Sequence, residues 1–152
     1  MRRVAIYAIG KREDRCTQHL LEELRTNAKR FVHIQWHQIY TKQIHQAQRT
    51  HEAQQAYTQA LEPHLLQGWF NVALDPKGQE MDSFAFAKLL ERHTKMAFFI
   101  GGAYGLEDAF LRRCDLVLSL SKLTMSHKVA KIVLVEQIFR GCSIINHHPY
   151  HK

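Results

Sequence analysis

Two short stretches in the C-terminal half combine residue types that can hold a small ligand. Ile100-Gly101-Gly102-Ala103-Tyr104-Gly105 follows an apolar run and precedes a helical pattern. Glycines at such a junction let the backbone approach a ligand closely and adopt positive φ. The stretch is neither G-x-G-x-x-G nor G-x-x-x-x-G-K-[ST], so neither a dinucleotide nor a nucleoside triphosphate is indicated, and a tight turn without a ligand accounts for it equally well. The second stretch, Ser121-Lys122-Leu123-Thr124-Met125-Ser126, also follows an apolar run. The tail His147-His148-Pro149-Tyr150-His151 places three imidazoles close together, a set able to bind zinc or nickel. No carboxylate or cysteine is near them in sequence, so adventitious binding is expected and no functional metal. Ser119, Ser121 and Ser126 lack a G-x-S-x-G setting, which disfavours hydrolase chemistry. Cys16, Cys114 and Cys142 are odd in number and far apart, so they are read as reduced, with neither a disulfide framework nor a structural zinc.

Charge adds a partner class. The 152 residues carry a formal charge of +7 with histidines neutral. Between Glu23 and Glu52 there is no acid, while Arg25, Lys29, Arg30, Lys42 and Arg49 all fall there, interleaved with Phe31, Trp36 and Tyr40. After Asp115 the only acid is Glu136. Clustered cations suit a polyanion, nucleic acid foremost; a merely basic surface is the plainer alternative. No apolar run approaches the ~20 residues of a membrane span, and the N-terminus reads as a first strand, not a signal, so a soluble cytoplasmic protein is expected.

The elements that must position these residues alternate. Strand-like runs lie near Val4–Ile9, Phe31–Trp36, Trp69–Leu74, Met96–Ile100 and Leu116–Leu120. Helical patterns fall near Glu13–Ala28, Gln43–Leu61, Ser83–Arg92, Glu107–Arg113 and His127–Ile145, with Asp82 or Ser83 as an N-cap and Pro63 ending the second. The alternation predicts one α/β domain over residues 1–152 with a mostly parallel sheet, whose ligand would sit at the carboxyl ends of the strands. The last helix shows an apolar arc of roughly 200°, wider than an amphipathic surface helix requires. The sheet can cover one side; the rest is covered either within the chain or by a second copy. Lys131 falls inside that arc, where a cation must be paired or face a ligand.

The C-terminal third carries a resemblance. Phe99-Ile100-Gly101-Gly102, Leu118-Ser119-Leu120-Ser121-Lys122-Leu123-Thr124, His127, Val133-Leu134-Val135-Glu136-Gln137-Ile138-Phe139-Arg140 and Pro149-Tyr150-His151-Lys152 occur in an order and spacing similar to the RlmH family of SPOUT-type enzymes. These methylate N3 of a pseudouridine in bacterial 23S ribosomal RNA. The likeness is close over residues 69–152 and looser over 1–68. It implies a SPOUT fold with a C-terminal trefoil knot, a homodimer, and S-adenosylmethionine as methyl donor. The donor site it implies comprises Leu74, Gly101, Gly102, Leu120, Ser121, Lys122, Leu123, Thr124 and Met125. The chain departs from the family pattern at Ser126, where proline is usual, and at Lys131, where arginine is usual; lysine keeps the charge and loses the planar fork.

Under this resemblance catalysis is chiefly alignment, with help in removing the proton of a weakly acidic imide. His127, Lys131 and Arg140 are the candidates for that charge work, and Tyr150 and His151, from the tail of either subunit, for holding the flipped base. Two alternatives remain: a methyltransferase acting on tRNA, and a non-enzymatic ribosome-binding module on the same fold.

Overall fold

A computed structural model describes all 152 residues. Its sheet has five parallel strands in the order β2-β1-β4-β3-β5. They are β1 (Arg2–Ile9), β2 (Val32–Ile39), β3 (Phe70–Gln79), β4 (Lys95–Ile100) and β5 (Leu116–Leu118). The helices are α1 (Arg15–Ala28), α2 (Lys42–Gln46), α3 (Thr50–Leu61), α4 (Ser83–Arg92), α5 (Asp108–Arg113) and α6 (His127–Ile145).

Burial explains the order. Val4 to Ile9 and Met96 to Ile100 are buried without interruption, as strands covered on both faces must be. At the edge, β2 alternates instead, with Val32 and Ile34 buried and His33 and Gln35 exposed. One core, around Ile6, Phe98, Leu134 and Ile138, lies under α1, α4 and α6. The other, around Tyr7, Tyr57, Phe99 and Phe110, lies under α3 and α5. Each fully buried Phe or Leu stabilises the fold by about 1.5–3 kcal/mol of transfer free energy.

Two findings differ from expectation, and a third decides between the two covers left open for the last helix. The helix expected over Gln43–Leu61 is two, because the apolar stripe lapses between Ala47 and Ala53 and nothing holds the intervening turn to the core. β3 runs on past Leu74: both Leu74 and Gln79 pair with Leu118, so Asp75-Pro76-Lys77-Gly78 bulges out of the ladder. Gly78 is required there, since a Cβ would lie 2.7 Å from the Val117 and Leu118 backbone. Finally, the wide apolar arc of α6 is used inside the chain. α1 and α4 flank the helix on the sheet, and at Gly141 a Cβ would meet Leu90 Cδ1 at 2.6 Å. Ile138 and Phe139 are therefore core residues, and the width of the arc does not call for a second copy. No helix is long and apolar enough to cross a membrane.

Candidate active site

Because β4, β3 and β5 are neighbours, the loops at their carboxyl ends converge. They enclose a cavity of about 410 Å³ with α6 as its back wall, within the usual range for small-ligand sites. β3 contributes Leu74, Asp75 and Pro76; the loop after β4 contributes Ile100 to Gly105; the segment after β5 contributes Leu118 to Ser121, Leu123, Thr124 and Met125. His127 and Ala130 come from the first turn of α6.

The glycines have distinct roles. Gly105 takes φ +75° and its N–H donates to Gly102 O (3.1 Å), closing the turn. Gly101 and Gly102 do not have positive φ; they are needed for packing. A Cβ on Gly101 would meet Leu106 Cγ at 2.9 Å, and one on Gly102 would run into the buried Tyr57 ring. Gln54 Nε2 ties α3 to the loop by donating to Tyr104 O (2.9 Å). On the opposite rim, Ser119 Oγ donates to Ser121 O (3.0 Å) and Leu123 N–H donates to Ser121 Oγ (3.0 Å). Ser126, the residue that stands in place of proline, caps α6 by accepting from Val129 N–H (3.2 Å).

Of the residues the resemblance assigns to the donor, Leu74, Gly101, Gly102, Leu120, Ser121, Leu123, Thr124 and Met125 line this cavity; Lys122 is exposed and does not. Sequence reasoning missed Asp75, Pro76 and Ala130; Tyr104 stands in the glycine stretch, and Leu118 and Ser119 are read only as part of the family motif. The turn-forming string Asp75-Pro76-Lys77-Gly78 is the readable signal for the first two.

The five charge and base candidates separate. His127 lines the cavity, and burial followed by the nearby Lys131 cation lowers its pKa, against a smaller opposing pull from Glu13. Both effects favour the neutral imidazole, the form that can accept a proton. Lys131 does not line the cavity. It is buried and paired with Glu13 from the loop before α1, which meets the requirement for a partner and leaves it to position α6 and bias His127.

Arg140, Tyr150 and His151 cluster at the far end of α6. Arg140 donates from Nε (3.0 Å) and Nη2 (2.7 Å) to Glu136 Oε1, which also accepts from the Tyr150 hydroxyl (2.8 Å). Arg140 Nη1 is 3.2 Å from His151 Nδ1 and its guanidinium lies 4.8 Å over the Tyr150 ring. Tyr150 also packs on Phe139 (4.3 Å), and His151 meets the Phe84 ring edge-on (4.9 Å). The tail is anchored by His148 N–H donating to Ser143 O (2.9 Å) and by His148 against Phe31. His148 and His151 thus face different partners, and no group of three or more His, Cys, Asp or Glu could hold a metal ion. Thirteen residues of helix separate His127 from Arg140, about 20 Å at 1.5 Å per residue. Within one chain the cavity and the tail cluster do not meet.

Known proteins match the sequence of this chain along its whole length. A family model described as "Predicted SPOUT methyltransferase" matches residues 2–151. The chain belongs to the SPOUT methyltransferase family. A relative from a Nitratiruptor species, named ribosomal RNA large subunit methyltransferase H, is 54% identical over 153 residues, covering 100% of both chains. Proteins of the same name from Aliarcobacter butzleri (45%) and Helicobacter pylori (44%) each match over 99% of both chains. The five-stranded parallel sheet flanked by helices is the architecture expected of a SPOUT methyltransferase, so the fold class read from the sequence stands.

Proposed function

We propose that this protein methylates ribosomal RNA of the large subunit, at N3 of a pseudouridine in 23S rRNA, with S-adenosylmethionine as donor. The observation that carries this reading is the cavity at the carboxyl ends of β3, β4 and β5. Its walls combine apolar side chains (Leu74, Ile100, Leu118, Leu120, Met125) with polar groups (Asp75, Ser121, Thr124) and the side-chain-free backbone of Gly101 and Gly102. That mixture fits a nucleoside joined to a charged amino acid. The relatives' name supports the substrate class.

The bound donor supplies an activated methyl group, and the chain supplies position and proton handling. The loops after β4 and β5 fix the ligand between them, and α6 closes the back of the cavity. N3 of a uracil ring must lose its proton to become a good nucleophile. His127, neutral and in the wall, is placed to hold that proton at an imidazole nitrogen. Arg140, lying over the Tyr150 ring and within hydrogen-bond distance of His151, suits a flat, partly anionic ring.

For these groups to act together two chains are required. We place them in a homodimer in which the tail cluster of one protomer closes the cavity of the other. The exposed Phe84 and Val129 and the half-buried Val133 support an interface on α4 and α6. The trefoil knot that the family resemblance implies belongs to the same reading, supported by the family match over residues 2–151. Mass spectrometry of large-subunit rRNA from a strain lacking this chain should show one methyl group missing from a pseudouridine, restored by the wild-type gene. Unchanged rRNA would overturn the assignment.

A further inference from the structure

The carboxyl edge of the sheet has a second half. Beside the cavity, over the ends of β1 and β2, lies a groove of about 480 Å³. Its floor is Trp36, whose Nε1 donates to Gln38 Oε1 (3.1 Å), and Gln38, whose Nε2 donates to Gly10 O (3.0 Å). Lys11 and Arg12 stand exposed on its rim. Lys11 Nζ lies 5.6 Å over the exposed Tyr40 ring, and the Tyr40 hydroxyl is 2.7 Å from His45 Nδ1 on α2.

From that point the rim continues along the chain. α2 begins at Lys42, Arg49 precedes α3, and one turn into α3 Gln54 is bonded to Tyr104 on the lip of the cavity. A strip of cations with one aromatic ring thus starts at Lys11 and ends at the donor site. Its charge is uncompensated. The two acids of the β1–α1 loop are taken by α6, Glu13 by Lys131 and Asp14 by Lys128, whereas Lys11, Arg12, Lys42 and Arg49 make no ion pair. The remaining acids nearby are Glu22 on the α1 wall of the groove and Glu52, which accepts from Gln48 N–H (3.3 Å).

We infer that this strip, Lys11–Arg12–Tyr40–Lys42–Arg49, is the track for the RNA strand that flanks the target nucleotide. Its cations meet phosphates, and Tyr40 offers a face on which a neighbouring base stacks. The inference rests on the rRNA reading above and adds where the substrate lies. Unpaired, exposed cations interleaved with an exposed ring are what single-stranded RNA binds without sequence preference. An acidic protein would be served by the charges and would make no use of the ring.

The test is the triple variant Arg12→Ala, Lys42→Ala, Arg49→Ala, with Lys95→Ala, Arg112→Ala as control. The control removes two exposed cations near the amino edge of the sheet. Filter binding to a 23S rRNA fragment is measured from 50 to 300 mM salt, beside methyl transfer to the same RNA and calorimetry with S-adenosylhomocysteine. The triple variant should bind RNA at least tenfold more weakly, with a log–log salt slope shallower by about two, as three lost single-strand phosphate contacts imply. KM should rise with kcat and S-adenosylhomocysteine affinity unchanged, and Tyr40→Leu should weaken RNA binding while leaving the slope alone. Equal RNA affinity and slope in the triple variant and wild type, or an equal loss in the control, would overturn the track. Were wild type to bind RNA through the strip yet transfer no methyl group, the rRNA methylation reading would fail and the track would stand.

Discussion

α6 touches both chemical regions of the protein, and the two ends are built differently. At its N-terminus the cavity is shaped by backbone: two glycines fixed by Leu106 and Tyr57, a third in a left-handed turn, and serines that bond their own loop. At its C-terminus Arg140, Glu136, Tyr150 and His151 are bonded to one another at the surface. The first region is a container with a neutral imidazole in its wall. The second is a charged, aromatic face. A site that must hold a donor and also orient a flat acceptor needs both properties, and one chain separates them by about 20 Å of helix.

Blocking the container should have the largest effect. Ala130→Trp projects from the first turn of α6 into the cavity and should abolish donor binding by calorimetry, with little change in melting temperature. Gly101→Val should also abolish it, by displacing the loop at Leu106, and should lose about 1–3 kcal/mol of stability to overpacking. Donor affinity surviving both substitutions would place the donor elsewhere.

The charged face should respond in the opposite sense. Arg140→Ala should cut turnover about 100-fold, roughly 2.7 kcal/mol of barrier, with donor affinity nearly unchanged. Deleting Pro149–Lys152 should cost at least tenfold, about 1.4 kcal/mol, in single-turnover assays. A parallel fall in donor affinity would mean that the two ends act as one region.

How much of this is legible in sequence depends on whether a feature is local. The strand runs, the α4 cap and the loops after β4 and β5 are written in contiguous residues, and the structure places them close to where the pattern does. The fate of Lys131 is not, because its partner Glu13 lies in a different element that only the β1–α1 turn brings near. The arc of α6 is plain in the sequence and its cover is not, since α1 and α4 are distant along the chain. Ile138→Asp or Phe139→Asp would accordingly unfold the protomer and not merely separate a dimer. Phe84→Glu, on an exposed side chain, should give a folded monomer by sedimentation.

A smaller effect is expected with pH. The folded-state pKa of His127 is lowered, so the unfolded chain takes up this proton first as pH falls. Its contribution to stability is intact above about 6.5 and declines below. Methyl transfer should likewise stay level down to the ordinary histidine range and fall only beneath it, and His127→Gln should remove that inflection. Smallest of all, native alkylation at neutral pH should label the exposed Cys16 and spare the others, because burial pushes Cys114 up to about 12 and Cys142 to about 11.

The division of labour along α6 is tested most directly by mixing two defective chains. Ala130→Trp keeps a sound tail and loses the cavity; Arg140→Ala keeps the cavity and loses the face. Each homodimer should keep about 1% of wild-type activity or less. Equal co-expression gives about half mixed dimers, each with one cavity facing one intact tail, so methyl transfer to large-subunit rRNA should return to about a quarter of wild type. No activity above that of either variant alone would contradict a site shared between protomers.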